Sequence, residues 1–183
     1  MKTVIFTSDN GPHAEGGVNP AYLGSAGPLR GIKRSLNEGG IRVPLIVRWA
    51  GKAKPNTVSE LPVALWDLMP TVAQAARSRA PRDIDGISFL PTLQSLPQTQ
   101  KHEFLYWEFH EGGSQQAARM GDWKAIRPEL GKALELYNLK TDIGETKNVA
   151  ALNPDVVIKF ENFLRTARTR STHWPITKRR ASR

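Results

Sequence analysis

The sequence predicts an α/β protein that continues into a small antiparallel sheet with a helix packed at its end. The α/β part is indicated by two nearly continuous apolar runs, at residues 4–6 and 43–49. Such runs are typical of strands covered on both faces. The antiparallel part is indicated by residues 104–139, where short β-prone segments alternate with turn residues.

The first apolar run ends abruptly in Asp9, Asn10 and Gly11. In α/β sheets, ligands bind beyond the carboxyl ends of the strands, which is where Asp9 and Asn10 would lie. Their side chains offer the hard oxygen ligands that Ca²⁺ and Mg²⁺ prefer. Asp and Asn are also common turn formers, so these residues alone favour an ordinary turn.

The next segments predict a long loop, a return strand and a helix. Residues 11–28 are rich in Gly, Pro, Ala and Asn, and loops of this length are usually functional or disordered. Lys33 follows in a Gly-flanked segment, and a lone loop lysine is usually a solvated surface charge. Residues 61–79 have helical spacing, but Pro70 requires that a helix begin near Met69 or bend there.

The second half predicts a four-stranded meander and a terminal helix. Gly121 and Asp122 form a plausible hairpin turn between two of the strands. Asn153 and Pro154 are a typical helix start, with Asn153 as the expected cap. The apolar stripe of this helix should lie across the meander. The predicted strands are residues 104–109, 115–120, 123–127 and 134–139.

These elements predict three parts of the chain. Residues 1–98 form the α/β part, residues 99–168 form the small antiparallel sheet with its helix, and residues 169–183 form a basic, disordered tail. The net charge is +9, but residues 165–183 hold seven basic and no acidic residues. The rest of the chain is therefore nearly neutral. A basic tail without a recognised binding motif does not predict nucleic-acid binding.

Composition excludes several other classes of site. The chain has no cysteine, which excludes disulfides, thiolate metal sites and a cysteine nucleophile. No apolar stretch approaches the length that spans a bilayer, so no membrane association is predicted. The first residues do not read as a signal peptide, and no compartment is predicted.

Several motifs taken in order resemble those of the type I sulfatases, the family that includes the arylsulfatases and belongs to the alkaline-phosphatase superfamily. The resemblance covers residues 3–165, and its motifs are residues 6–13, 27–33, 38–44, 66–71, 85–88, 119–124 and 135–139 with Asp142, Glu145 and Asn148. It implies that residues 1–98 are the C-terminal part of an alkaline-phosphatase-like sandwich.

The resemblance also implies a sulfate-ester substrate and roles for individual residues. Asp9 and Asn10 would bind a divalent cation, Ca²⁺ or Mg²⁺. Lys33 would be catalytic and substrate-binding, since it would contact the sulfate group or the ester oxygen. His13 and His110 would contact substrate, although either histidine would more commonly be structural.

The chain departs from the family in one respect that matters for mechanism. Family members use a formylglycine made from a Cys/Ser-x-Pro-x-Arg motif that precedes the Asp-Asn pair. Here Ser95-Leu96-Pro97 is followed by Thr99 in place of Arg and comes after that pair. The expectation is therefore a sulfatase fragment that holds half a metal site, is inactive alone and would need a missing N-terminal half.

Two other interpretations stay open on the sequence alone. The first is a phosphate-ester hydrolase of the same superfamily. The second is a non-catalytic module whose basic tail binds an anionic partner.

Overall fold

The structure, a computed structural model, describes residues 2–111 and 113–177, and these form two compact units. Residues 2–9 and 44–102 make up the first unit, while the other described residues make up the second. In chain order the elements are β1 (Thr3–Thr7), α1 (Glu38–Ile41), β2 (Leu45–Trp49), α2 (Leu68–Ala75), α3 (Leu90–Leu93), β3 (Leu105–Phe109), β4 (Gln115–Met120), β5 (Trp123–Arg127), β6 (Glu135–Asn138) and α4 (Pro154–Leu164). No helix in this part of the chain is long and apolar enough to cross a membrane.

The first unit contains a two-stranded antiparallel sheet, in which β1 pairs with β2. Both strands were predicted. The expectation that both of their faces are buried is wrong. Val4, Phe6 and Ile46 each expose more than half of their surface. Phe6 lies opposite Ile46 in the register, so these side chains share one face. Among the described residues β1 pairs only with β2, and the face that carries Phe6 and Ile46 is exposed to solvent.

The buried carboxylate of Asp67 joins the remaining segments of the first unit. Asp67 accepts hydrogen bonds from the backbone N–H groups of Ala64 and Ile87, both at 2.8 Å. His102 Nε2 lies 2.8 Å from the same carboxylate. The helix α2 begins at Leu68, immediately after Asp67, so the helix start near Met69 is confirmed and Pro70 lies in its first turn.

The second unit contains the predicted meander, a four-stranded antiparallel sheet in the order β3-β4-β5-β6. One face of the sheet packs against α4, as predicted, through a core of Ala118, Ala125, Leu134, Leu136, Phe160 and Leu164. Asn153 is the N-cap residue of α4, as predicted, but its side chain makes no capping hydrogen bond and donates instead to the carbonyl oxygen of Val149 at 2.9 Å. Pro154 is the first residue of the helix.

The opposite face of this sheet packs against residues 29–41, which we call the Lys33 segment. Leu36 is buried in a second core cluster with Ala117, Ile126 and Tyr137. Residues of this face alternate along each strand with those that contact α4, as the pleat of a β-sheet requires. The sheet is therefore the support on which the Lys33 segment rests.

The predicted basic tail is described only as far as Thr177, and residues 178–183 lie outside the described residues. Thr177 pairs with Ser114 at the start of β4. The backbone N–H of Ser114 donates to the Thr177 carbonyl at 3.0 Å, and the backbone N–H of Thr177 donates to Ser114 Oγ at 2.9 Å.

Candidate active site

The predicted site residues lie in loops next to strands and helices. Asp9 and Asn10 directly follow β1, and Asp9 is the last residue of the chain's opening segment in the first unit. Asn10 and the other three predicted residues, His13, Lys33 and His110, belong to the second unit.

The backbone around Lys33 is held by three hydrogen bonds between loop segments. The N–H of Lys33 donates to the Pro12 carbonyl at 2.8 Å, and the N–H of Gly11 donates to the Gly40 carbonyl at 2.9 Å. The N–H of Gly39 donates to the Arg30 carbonyl at 2.7 Å. Residues 11–12 are therefore tied to both ends of the Lys33 segment.

Glycine is required where these segments cross. A Cβ atom on Gly39 would overlap the carbonyl oxygens of Gly31 and Arg30, and one on Gly40 would overlap that of Ser35. These neighbours are backbone atoms, which cannot rotate away as side chains can. The Gly39-Gly40 pair, which lies in one of the family-like motifs, is thus what lets the Lys33 segment fold back on itself.

A buried cluster of charges fixes this segment to the sheet. Lys124 on β5 is completely buried, and its Nζ lies 2.8 Å from Glu38 Oε1 and 3.1 Å from Glu145 Oε1. Glu145 Oε2 also accepts a hydrogen bond from the backbone N–H of Glu38 at 2.6 Å. Because buried charges are tolerated only when they are paired, this cluster strongly favours one position for the N-terminus of α1.

A second polar contact holds the beginning of the segment. Arg30 Nη1 donates to Tyr137 Oη and to the Glu145 carbonyl, both at 3.0 Å. Tyr137 Oη in turn donates to Glu135 Oε2 at 2.7 Å. Burial and the neighbouring Glu135 carboxylate raise the pKa of Tyr137 to about 12, so its hydroxyl stays protonated and keeps this donor at neutral pH.

The Lys33 side chain extends from this fixed backbone toward solvent. Its Nζ lies 3.3 Å from Glu15 Oε2, and 35% of the side chain is exposed. The neighbouring Arg34 pairs with the other oxygen of the same carboxylate, Glu15 Oε1, and its Nε lies 2.7 Å from Glu111 Oε2. Lys33 is thus a partly exposed cation whose backbone is held by the Pro12 carbonyl.

Each of the two predicted histidines is next in sequence to a residue that contacts Lys33 or Arg34. His13 follows Pro12, whose carbonyl accepts the Lys33 amide, and His13 Nδ1 accepts from the N–H of Glu15 at 3.1 Å. His110 precedes Glu111, the partner of Arg34. Both ring nitrogens of His110 have partners, Ser114 Oγ at 3.0 Å and Glu108 Oε2 at 3.1 Å.

The donor set for a metal ion is partial. Among the described residues, no group of three or more His, Asp or Glu side chains is placed to hold a metal. Asp9 and Asn10 fit a hard cation by their chemistry, since both carry oxygen donors at the end of a strand. Ca²⁺ takes about six to eight oxygen ligands, so this pair fits part of a coordination sphere.

The sequence interpretation missed several residues that shape the site. It assigned no role to Glu15 or Arg34, and it used Lys124, Glu38 and Glu145 only as parts of family-like motifs. No local signal marks Lys124 as buried, since lysine is mostly exposed in folded proteins. None marks Glu15 either, which lies in an irregular loop.

Comparisons with known proteins point to one family. A family model described as "N-sulphoglucosamine sulphohydrolase, C-terminal" matches residues 32–168. The steryl-sulfatase of Mus musculus is 43% identical over 107 residues, which cover 56% of this chain and 17% of that protein. The N-acetylgalactosamine-6-O-sulfatase of Bacteroides thetaiotaomicron is 32% identical over 189 residues, which cover 91% of this chain and 36% of that protein.

A solved structure gives the same result for the fold. A sulfatase from a Bacteroides thetaiotaomicron locus for the metabolism of multiple glycosaminoglycans superposes with a TM-score of 0.74 at 30% identity. The match covers 92% of this chain and 39% of that one. This chain therefore spans at most 39% of the length of any relative named here. The predicted fold class is confirmed. The chain therefore belongs to the sulfatases of the alkaline-phosphatase superfamily and contains their C-terminal domain.

Proposed function

We propose that this chain supplies the C-terminal part of a sulfuric ester hydrolase, including a cation that contacts the sulfate group. The observation that carries the proposal is the placement of Lys33. Its backbone N–H donates to the Pro12 carbonyl, while its side chain is partly exposed to solvent. A cation preorganised in this way offsets charge on a reacting oxygen without having to be reoriented during the reaction.

Lys33 would contact a sulfate oxygen or the ester oxygen. As the ester bond breaks, negative charge develops on the leaving oxygen, and the nearby ammonium group stabilises that charge. His13 and His110 remain proposed substrate contacts. His13 is the better placed of the two, since its neighbour Pro12 accepts the Lys33 amide hydrogen bond.

Sulfatases are generally metal-dependent. We propose that Asp9 and Asn10 supply two of the oxygen ligands of a Ca²⁺ or Mg²⁺ ion. A divalent cation there would polarise the sulfate oxygens. Because two ligands fill only part of a coordination sphere, the remaining ligands must come from outside this pair.

Removing one of these ligands is expected to lower Ca²⁺ affinity. In the 183-residue chain, Asp9→Ala should weaken Ca²⁺ binding at least tenfold, because a charged ligand of an incomplete site contributes much of its attraction. Isothermal titration with millimolar Ca²⁺ measures this. Asp155→Ala, which removes an exposed carboxylate from the start of α4, is the control and should leave binding unchanged. Equal binding by the wild type and both variants would refute the assignment of Asp9.

The proposed enzyme also needs a nucleophile. The chain has neither cysteine nor a Cys/Ser-x-Pro-x-Arg motif, so we propose that another polypeptide segment provides the formylglycine. The open apolar face of the first unit, with Val4, Phe6 and Ile46, is a suitable surface for packing against such a segment. By this proposal, the 183 residues alone do not hydrolyse sulfate esters.

The experiment that tests the proposal compares the chain alone with the chain joined to a sulfatase N-terminal part. The N-acetylgalactosamine-6-O-sulfatase of Bacteroides thetaiotaomicron is a suitable donor, since it is 32% identical over 91% of this chain. The joined protein should hydrolyse an aryl sulfate, and the chain alone should not. Turnover by the purified chain alone, or a folded joined protein without turnover, would contradict the proposal.

A further inference from the structure

The Glu15 carboxylate contacts two cationic side chains, those of Lys33 and Arg34. Lys33 contacts Glu15 Oε2 and Arg34 contacts Glu15 Oε1, so one anionic group bridges both side chains. The hydrogen bond from Arg34 is the largest of the causes that lower the pKa of Glu15, followed by that from Lys33. Glu15 is therefore held as a carboxylate, the charge state that resembles a sulfate group.

The backbone at Arg34 gives a second, independent observation. Arg34 has a φ of 75°, in the left-handed region that residues other than glycine rarely adopt. Glycine would adopt this conformation without strain, yet a long cationic side chain occupies the position. Non-glycine residues in such conformations concentrate at functional sites, and the guanidinium group of Arg34 contacts the carboxylate that Lys33 also contacts.

The partners of this cation pair are exposed. The side chains of Glu15 and Arg34 are 49% and 47% exposed, and Glu111, the second partner of Arg34, is 65% exposed. Exposed ion pairs are individually weak, so an incoming anion can displace Glu15 at little cost. A guanidinium group offers paired N–H donors that match two oxygens of one oxyanion.

We propose that Lys33 and Arg34 form a two-cation site for the sulfate group of the substrate, which Glu15 fills in the free protein. Glu15 is then a built-in competitor that the sulfate ester displaces, and Arg34 is a further substrate-binding residue. This inference rests on the proposed role of Lys33, but it assigns separate roles to Arg34 and Glu15.

The test is a titration of the full chain with inorganic sulfate at constant ionic strength, followed by the backbone amide NMR signals of residues 31–35. Glu15→Gln should tighten sulfate binding about three- to tenfold, because it removes the competing charge. Arg34→Met and Arg34→Gly should both weaken it by a similar factor. The glycine variant keeps the left-handed backbone, so a loss in both variants assigns the effect to the side chain.

Matched controls are available on the first unit. Glu60→Gln and Arg82→Met make the same charge changes at exposed positions and should leave sulfate affinity unchanged. The proposal is overturned if Glu15→Gln behaves like Glu60→Gln, if the Arg34 variants bind like the wild type, or if no sulfate binding is detected. Loss of binding in Lys33→Ala with unchanged binding in the Arg34 variants would overturn this inference and leave the role of Lys33 intact. The reverse pattern would contradict the proposed role of Lys33 and also overturn the two-cation site.

Discussion

Replacing Lys124 by methionine is expected to destabilise the second unit by about 3–5 kcal/mol. The substitution keeps the length of the side chain but removes the fully buried cation that contacts both Glu38 and Glu145. Within the described part of the chain, Glu38 would keep only the more distant guanidinium groups of Arg42 and Arg119, at 3.6 and 3.9 Å. Two carboxylates would then be buried without their central partner. Urea denaturation of the full chain, monitored by hydrogen exchange at the amides of β4 and β5, measures the loss.

The matched control is Lys132→Met, which removes the same charge from an exposed turn of the second unit. It should change the free energy of unfolding by less than about 0.5 kcal/mol. Adding Glu145→Gln to Lys124→Met should recover part of the loss, because a neutral amide is less costly to bury than a carboxylate. If Lys124→Met and Lys132→Met unfold at the same urea concentration, the buried cluster does not stabilise the unit.

Replacing Gly40 by alanine is the second change with a large expected effect. The new methyl group would overlap the carbonyl oxygens of Ser35 and Ile32, so the whole Lys33 segment would have to shift. We expect a loss of about 3 kcal/mol or more, at the upper end for overpacking, because the obstructing atoms belong to the backbone. Thermal unfolding combined with hydrogen exchange at residues 29–41 checks both the size and the location of the effect.

Gly24→Ala separates this steric effect from the general cost of replacing a glycine. Gly24 has a φ of 59° and no atom near the position of an added Cβ, so only the backbone conformation is penalised. That penalty is about 1–2 kcal/mol. A Gly40→Ala protein as stable as Gly24→Ala, with unchanged exchange in the Lys33 segment, would show that the crossing tolerates a side chain.

The small sheet was the most predictable part of the fold. Its strands are short β-prone segments separated by turn residues, and Gly121-Asp122 forms the predicted turn between β4 and β5. Local patterns of this kind determine strand existence and pairing, because adjacent antiparallel strands follow one another along the chain. The position of α4 on this sheet was also predictable from its apolar stripe.

The support of the candidate site was not predictable in the same way. Lys124 contacts Glu38 across 86 residues of sequence, and no local pattern signals a contact of that range. A lysine is mostly exposed in folded proteins, so burial of Lys124 depends on partners that only the tertiary structure brings together. The left-handed conformation of Arg34 likewise has no sequence signal, since glycine is the residue expected there.

Burial of the first strands was predicted wrongly for a related reason. The continuous apolar run at β1 is typical of a strand covered on both faces, yet Val4 and Phe6 are exposed in the first unit. The apolar pattern of one strand shows that its faces are suited to burial. It does not show whether other helices or strands are present to cover those faces. The same exposed face is the surface to which we assign packing against a further sulfatase segment.

The most direct test of the central claim is the rate of aryl-sulfate hydrolysis by the joined protein carrying Lys33→Ala. We predict that kcat falls about 10²–10³-fold, the usual cost of losing one preorganised group that stabilises a developing charge. Lys52→Ala, at an exposed lysine of the first unit, should leave kcat within about twofold. A Lys33→Ala protein that is folded and as active as Lys52→Ala would contradict the claim that this chain supplies the sulfate-contacting cation.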